Sequence, residues 1–341
     1  MDRYEIHRPE GIDALKIHAR EEPRPGPFEL LLDMKAWSLN YRDLAMPRGG
    51  YPGNEKVRTE PPLVPLSDGA GVVLEVGAGV TRFSPGDRVM TSFFQDWPSG
   101  ALDARSKATA LGGAIDGVLA ERVVLREGGC VRMPASLDFV EAATLPCAGV
   151  TAWASLAAAQ TRPGQTVLLL GTGGVSLFGL QLARGFGARA YVTSSSDQKL
   201  AKVAELGAST GINYSHLPEW QERVLELTDG VGVDHVLEVG GAGTLERSLA
   251  STRVGGTVSL IGVLTGVPDN NPSVMDALFR GITLRGIYVG SRQALEDLAR
   301  AVDTLSIRPV VDRVFDFDDV PAAYRYLKSK QHVGKVAIRS R

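Results

Sequence analysis

A junction in mid-chain limits what this sequence can fold into more than any other feature. The run Thr166-Val167-Leu168-Leu169-Leu170 leads without a spacer into Gly171-Thr172-Gly173-Gly174-Val175-Ser176, and helical spacing follows in Leu177-Phe178-Gly179-Leu180-Gln181-Leu182-Ala183. Such an order predicts a buried strand, a tight turn and a helix. The alternation continues downstream. Residues 188–193 read as a strand, 199–206 as an amphipathic helix stopped by Gly207, and 233–239 and 256–262 as further strands. Strand and helix in alternation predict an α/β unit, a doubly wound parallel sheet with helices on both faces.

The turn has the spacing Gly171-x-Gly173-x-x-Ser176, close to the dinucleotide fingerprint G-x-G-x-x-G/A. In that design the first glycine makes the turn, the second admits a pyrophosphate to the backbone, and the third allows the helix to pack on the strand. Ser176 is small enough for the third role. Gly171, Thr172, Gly173, Gly174, Val175 and Ser176 are therefore candidate cofactor contacts, with the diphosphate at the positive end of the following helix. The end of the second strand distinguishes the cofactors, because an NAD site usually places an acidic residue there for the ribose diol. This chain has Ser194, Ser195 and Ser196, then Asp197 and Lys199. Hydroxyls with a nearby ammonium suit a 2′-phosphate, which points to NADPH. Asp197 is the objection: facing the ribose, it favours NADH. The serines also suit a helix N-cap, a role compatible with either cofactor.

The first third of the chain has a different texture. Short strand candidates at 28–36, 69–77 and 87–91, punctuated by Gly and Pro, predict a partly closed β domain. Residues 92–117 look irregular, a candidate substrate-facing lid, with Phe93, Phe94 and Trp97 as an apolar wall. At 341 residues two domains are expected. A formal charge of −2 gives no bulk reason to bind nucleic acid or an acidic membrane. The two cysteines, Cys130 and Cys147, suit a reduced compartment. The first residues lack an apolar signal core and no run of ~18 apolar residues occurs, so a cytoplasmic protein is expected.

Several segments together resemble the medium-chain dehydrogenase/reductase superfamily over essentially the whole chain. They are Ser38-Leu39-Asn40-Tyr41-Arg42-Asp43, Pro65-Leu66-Ser67-Asp68-Gly69-Ala70-Gly71, Gly86-Asp87-Arg88-Val89 and Ala142-Ala143-Thr144-Leu145-Pro146-Cys147. Gly149-Val150-Thr151-Ala152-Trp153, the glycine turn and Gly334-Lys335-Val336 complete the set. The nearest likeness is to the quinone-oxidoreductase and zinc-free alcohol-dehydrogenase-like branch. The resemblance implies a GroES-like catalytic domain (1–130 and 290–341) split by a Rossmann dinucleotide-binding domain (131–289), with the active site in the cleft between them. It implies cofactor contacts at Thr151, Lys199 and Tyr214, and a nicotinamide lined by Gly240, Gly262, Val263 and Val289. It also implies a homodimer through the edge strand at 283–289.

Zinc-dependent relatives carry their catalytic ligands at positions matching Asn40, Ser67 with Asp68, and Cys147. Catalytic zinc wants three protein donors of the Cys and His kind, and only one thiol remains. The four-cysteine lobe of a structural zinc is missing, and the five histidines are scattered. No zinc is expected. Cys147 reads as a small buried residue, and Arg42 with Asp43 as a structural ion pair. Without a Lewis acid, charge on the substrate oxygen must be met by hydrogen-bond donors, and conjugated acceptors suffer least. The expected reaction is hydride transfer to a quinone or α,β-unsaturated carbonyl, with Asn40 and Tyr41 as candidate catalytic residues. Tyr41 would act as proton donor or simply as a packing aromatic. A metal-free alcohol dehydrogenase and a cofactor-binding sensory protein are the rival readings.

Overall fold

The computed structural model describes residues 1–50, 60–266 and 274–341. The chain divides into two compact units, Met1–Val150 with Val289–Arg341, and Thr151–Tyr288. In chain order the first strands are β1 (Asp2–Ile6), β2 (Leu15–Ala19), β3 (Glu29–Leu39), β4 (Asp68–Val76), β5 (Arg88–Thr91), β6 (Arg122–Arg126) and β7 (Cys130–Arg132). Then follow β8 (Thr166–Leu170), β9 (Arg189–Ser194), β10 (Thr210–Asn213), β11 (Val233–Glu238), β12 (Thr252–Leu260), β13 (Thr283–Gly286), β14 (Val311–Asp316) and β15 (Lys335–Arg339).

The inserted unit is a six-stranded sheet in the order β10-β9-β8-β11-β12-β13, and every adjacent pair is parallel. The order is that of the doubly wound dinucleotide fold, with β8 and β11 flanking the point where it reverses. All five residues of β8 are buried, as its continuous apolar run requires. The core is built from Leu168, Leu170, Val236 and Val258, with Trp220 and Val224 from the helix Trp220–Glu226.

The other unit is built on an antiparallel sheet ordered β14-β15-β3-β4-β5-β7, with β6 also paired to β3. β3 is its axis, bonded to β15, β4 and β6 along eleven residues. Trp37 on β3 is fully buried, donates its indole N–H to the Val118 carbonyl at 2.5 Å, and lies 5.0 Å from the Phe317 ring. Tyr4 closes the same aromatic group, 5.3 Å from Phe317. β14 pairs parallel with β15, and β15 antiparallel with β3, so the chain's last segment completes a sheet begun three hundred residues earlier.

Two expectations need correction. The boundary between units falls at Val150, not near 130. β7 pairs with β5, and the turn Leu145–Gly149 packs against the helix Arg292–Thr304, so residues 130–150 belong to the β unit. Residues 92–117 are irregular apart from one short helix, as expected, but Phe93 and Phe94 do not form an apolar wall. Phe93 and Phe94 are each 1% exposed, which makes them interior residues rather than a substrate wall. The segment is tied down by Phe94 bridging Ala110, by Leu111 N–H on the Phe93 carbonyl, and by the short Ala104–Lys107 helix capped by Asp103. Cys130 and Cys147 are both free thiols. Among the described residues no helix is long and apolar enough to cross a membrane.

Replacing Trp37 by Ala should destabilise the β unit by about 3–5 kcal/mol, through the cavity and the orphaned Val118 carbonyl. The change would be read as an earlier urea midpoint in the transition followed by tryptophan emission. A midpoint unchanged within error would remove Trp37 from the centre of the core.

Candidate coenzyme and catalytic sites

The glycine turn has the geometry its spacing predicts. Gly171 has φ 73°, and its N–H donates to the Thr193 hydroxyl at 3.3 Å, fastening the turn to the end of β9. A Cβ added at Gly171 or at Gly173, the N-cap of the helix Gly174–Gly185, would meet no atom within 4 Å. Backbone there is open to a ligand. Ser176 is buried and donates its hydroxyl to the Leu170 carbonyl at 2.7 Å, so it ties helix to strand. The close packing expected of the third glycine lies one turn later. A Cβ at Gly179 would come within 2.8 Å of Leu169 and 2.9 Å of Leu237. Sequence reasoning missed Gly179, although it sits in the quoted helical run. Thr172 is buried, while Gly174 and Val175 are half-buried.

At the end of β9, Ser194 is buried and Ser195 exposed, and Ser196 caps the helix Asp197–Glu205 by accepting the Lys199 N–H at 3.4 Å. Asp197 does not stand apart. Its Oδ1 accepts from Asn213 Nδ2 at 2.7 Å, and His216 Nδ1 lies 3.8 Å from its Oδ2. Tyr214, 42% exposed, follows β10 and donates its N–H to the Ser194 carbonyl at 3.0 Å. Ser194, Ser195, Ser196, Lys199 and Tyr214 are thus gathered where two adjacent parallel strands end.

The neighbouring strand end is organised by a residue that sequence reasoning passed over. Glu238 is fully buried at the end of β11; its Oε1 accepts the N–H groups of Gly240 (2.7 Å) and Gly241 (3.0 Å) and the Thr244 hydroxyl (2.7 Å). Its Oε2 accepts from Ser248. Thr265 carries the order onward, donating to the Gly240 carbonyl and accepting the Gly243 N–H. Gly240, Gly262 and Val263 are thereby held in one pair of loops. The signal was present: an acidic residue ending an apolar strand before Gly240 and Gly241. Thr151 is buried at the head of its helix, its carbonyl accepting the Ser155 hydroxyl at 2.8 Å. Val289 belongs to the β unit, and its φ of 62° puts a β-branched residue in the left-handed region, where strain costs about 1–2 kcal/mol.

Asn40 and Tyr41 lie in the β unit, where Asn40 joins a buried polar cluster. Lys335, 3% exposed, donates its ammonium to the Leu39 carbonyl at 2.6 Å and to Asn40 Oδ1 at 2.5 Å. Asp68 Oδ2 is 3.9 Å from the same nitrogen, and Asp68 Oδ1 accepts the Ser67 hydroxyl at 2.7 Å. Burial raises the Asp68 carboxyl above its ordinary range, opposed chiefly by the Lys335 charge. Burial, then the Asp68 charge, pushes the Cys147 thiol well up, which disfavours the thiolate. The expected Arg42–Asp43 pair is loose, at 4.0 Å. Arg42 instead donates to the Leu111 carbonyl and lies 4.3 Å above the Phe93 ring, while Asp43 accepts the Asn40 N–H at 2.7 Å. Tyr41 starts this turn and is 40% exposed.

Among the described residues one group of three His, Cys, Asp or Glu has its potential ligand atoms within 4.8 Å, namely Glu5, His7 and His18. Glu5 there already accepts from Arg3 at 2.6 Å and Arg20 at 2.7 Å, charges that oppose a cation.

A parallel sheet of this order with an open glycine turn is the apparatus of a nicotinamide-dinucleotide oxidoreductase, and comparison with known proteins agrees. The alcohol dehydrogenase GroES-like domain family matches residues 26–135, and the zinc-binding dehydrogenase family matches residues 174–305. A zinc-type alcohol dehydrogenase-like protein of Schizosaccharomyces pombe is 43% identical over 99% of both chains. The crystal structure of a putative alcohol dehydrogenase from Sinorhizobium meliloti superposes with a TM-score of 0.90 at 43% identity, over 99% of this chain and 98% of that one. A solved NAD-dependent alcohol dehydrogenase gives a TM-score of 0.88 at 30% identity, covering 99% of each. The chain belongs to the medium-chain dehydrogenase/reductase superfamily.

The buried cluster has a measurable pH signature. Burial raises the Asp43 carboxyl from 3.8 to about 6, against the Arg42 charge and the Asn40 N–H. Between those values the unfolded chain has lost the proton and the native chain keeps it. The stability this group contributes is full below 3.8 and falls as pH rises to about 6. Asp43→Asn retains an acceptor for the Asn40 N–H and removes the titration. Its urea stability should gain on the wild type by on the order of 1–3 kcal/mol across that window. A difference constant from pH 4 to pH 7 would contradict the assignment.

Proposed function

We propose that the protein transfers hydride from NADPH to a quinone or an α,β-unsaturated carbonyl compound, without zinc. The observation that carries this reading is the Lys335 ammonium, hydrogen-bonded to Asn40 at the position matching a zinc ligand. A divalent cation at that oxygen would sit beside a buried positive charge. The other matched positions offer a hydroxyl, a carboxylate already bonded to that hydroxyl, and a single thiol. This donor set does not fit catalytic zinc, which takes deprotonated Cys and neutral His.

A bound nicotinamide supplies the hydride. The protein must then accommodate negative charge on the acceptor oxygen and deliver a proton. Hydrogen-bond donors do this most readily when conjugation spreads the charge, which favours enolate or hydroquinone products over a localised alkoxide. Tyr41, an exposed phenol next to Asn40, is the proposed proton donor. For the coenzyme, the serines at the end of β9 with Lys199 and Tyr214 support a 2′-phosphate, and the bond from Asn213 accounts for Asp197. The likeness to an NAD-dependent alcohol dehydrogenase favours a second reading, metal-free oxidation of an alcohol.

Oxidation of NADPH and of NADH with a panel of quinones, enones and aldehydes, before and after exhaustive chelation, tests both readings. NADPH-dependent reduction of the conjugated acceptors that survives the chelator is expected. Activity abolished by chelator and restored by zinc would sink the proposal, and turnover confined to simple alcohols and aldehydes would favour the second reading. Tyr41→Phe should lower turnover about 10²-fold with an enone, the usual worth of a general acid; unchanged turnover would remove its role.

We further propose that the partner is a second copy of this chain, docked along the edge strand β13. Val254, Leu278 and Phe279 of the same unit are 69%, 68% and 78% exposed, an unusual apolar display near that edge. Light scattering should give twice the chain mass for the wild type and half of that for Leu278→Glu with Phe279→Glu. A monomeric wild type would refute the dimer.

A further inference from the structure

The turn after β9 and the turn after β10 are joined by one side chain. Asn213, 8% exposed, is the last residue of β10 and pairs in register with Ser194 on β9. Its Oδ1 accepts the Ser215 N–H at 3.0 Å. A backbone N–H can only donate, so this bond fixes which end of the amide is oxygen. The NH₂ end is then turned toward the helix Asp197–Glu205, where it donates to Asp197 Oδ1 at 2.7 Å. His216 Nδ1, at 3.8 Å from Asp197 Oδ2, is on the same side. Ser215 Oγ, 3.4 Å from the Ser195 carbonyl, closes the contact between the two turns.

Asp197 is the first carboxylate after β9, and it lies within reach of the place where a doubly wound dinucleotide fold puts the adenosine ribose. Its side chain is 70% exposed, so packing alone does not hold it. A hydrogen bond to a rigid, nearly buried amide does. We propose that Asn213 is a specificity-determining residue of the coenzyme site: it holds the Asp197 carboxylate on the β10 side and so keeps negative charge away from the 2′ position. This rests on the reading above that the coenzyme carries a 2′-phosphate. With Asn213 shortened, Asp197 is released to swing toward the ribose, where it repels a 2′-phosphate and accepts from a 2′-hydroxyl.

Four proteins test this, the wild type, Asn213→Ala, Asp197→Asn and the double variant, each with NADPH and NADH and one common electrophile. Asn213→Ala should lower the NADPH-to-NADH ratio of kcat/KM about tenfold, as a nearby like charge at a solvated site would. The loss should fall on KM for NADPH, with kcat held. Asp197→Asn alone should leave the ratio within about twofold of wild type, and in the double variant the ratio should return toward wild type. Binding of 2′,5′-ADP, a probe with the 2′-phosphate and no nicotinamide, should weaken in parallel with the NADPH KM. Asn213→Ser keeps an acceptor for the Ser215 N–H yet is too short to reach Asp197, so it substitutes if the Ala variant folds poorly. An unmoved ratio in a folded Asn213 variant, or a double variant as impaired as Asn213→Ala alone, overturns the role of Asn213 and leaves the coenzyme reading standing. A wild type that prefers NADH overturns both.

Discussion

The ammonium of Lys335, enclosed at the start of β15, is hydrogen-bonded to the Leu39 carbonyl and to Asn40 Oδ1 at the end of β3, with Asp68 of β4 3.9 Å away. Three strands that are adjacent in the sheet but far apart in the chain meet on this one charge. Burying an ammonium costs several kcal/mol unless its hydrogens find acceptors, so its surroundings are tightly specified. Asn40 is the residue most constrained by it. Its amide oxygen takes the ammonium from one side, and its backbone N–H is taken by Asp43. The conformation at the end of β3, and with it the position of Tyr41, follows from these bonds.

The inserted unit also encloses one polar side chain, by a different means. Glu238 is as deeply buried as Asp68, yet among the described residues it forms no ion pair. Two backbone N–H groups and two hydroxyls satisfy it instead. A buried carboxyl group accepting several such donors rigidifies the chain that supplies them. Here that chain is residues 240–248, whose shape passes through Thr265 to the loop after β12. Both units thus position loop backbone around one buried polar side chain, Lys335 in the first and Glu238 in the second.

Most of the inserted unit was legible in the sequence because each signal there is local. The β8 run, the glycine turn and the 3.6-residue spacing after it fall within eighteen residues, and the strands at 188–193 and 233–239 shift by a residue or so in the structure. At Gly179 the close packing has one partner nearby in β8, Leu169, but the other, Leu237, comes from a strand far along the chain. The β unit was less legible because its contacts are non-local. Phe93 and Phe94 read as a wall because nothing nearby in sequence shows that Arg42 covers one of them and Ala110 bridges the other. Residues 130–150 read as part of the dinucleotide domain because the strand β5 that claims them lies forty residues earlier. Lys335 stood in a quoted motif, but that its ammonium reaches Asn40 is a fact of the β15–β3 register, which no spacing encodes.

That register also bears on the proposed metal-free chemistry. Read one at a time, the exchanges at Asn40 and at Ser67 with Asp68 look like two independent losses of a metal ligand. In the folded unit they are coupled: Asn40 accepts from Lys335, Asp68 answers the Lys335 charge, and Ser67 donates to Asp68. Restoring a thiolate at Asn40 alone would set a second anion beside Asp68 and Cys147 while removing the neutral acceptor that Lys335 uses. The added negative charge would be met by the ammonium already present, so the pair would be satisfied without a metal. A divalent cation could compete only if Lys335 withdrew, and a buried lysine withdraws at the cost of leaving Asp68 uncompensated. The chemistry proposed for this chain therefore depends on the cluster as a unit, with Lys335 as its centre.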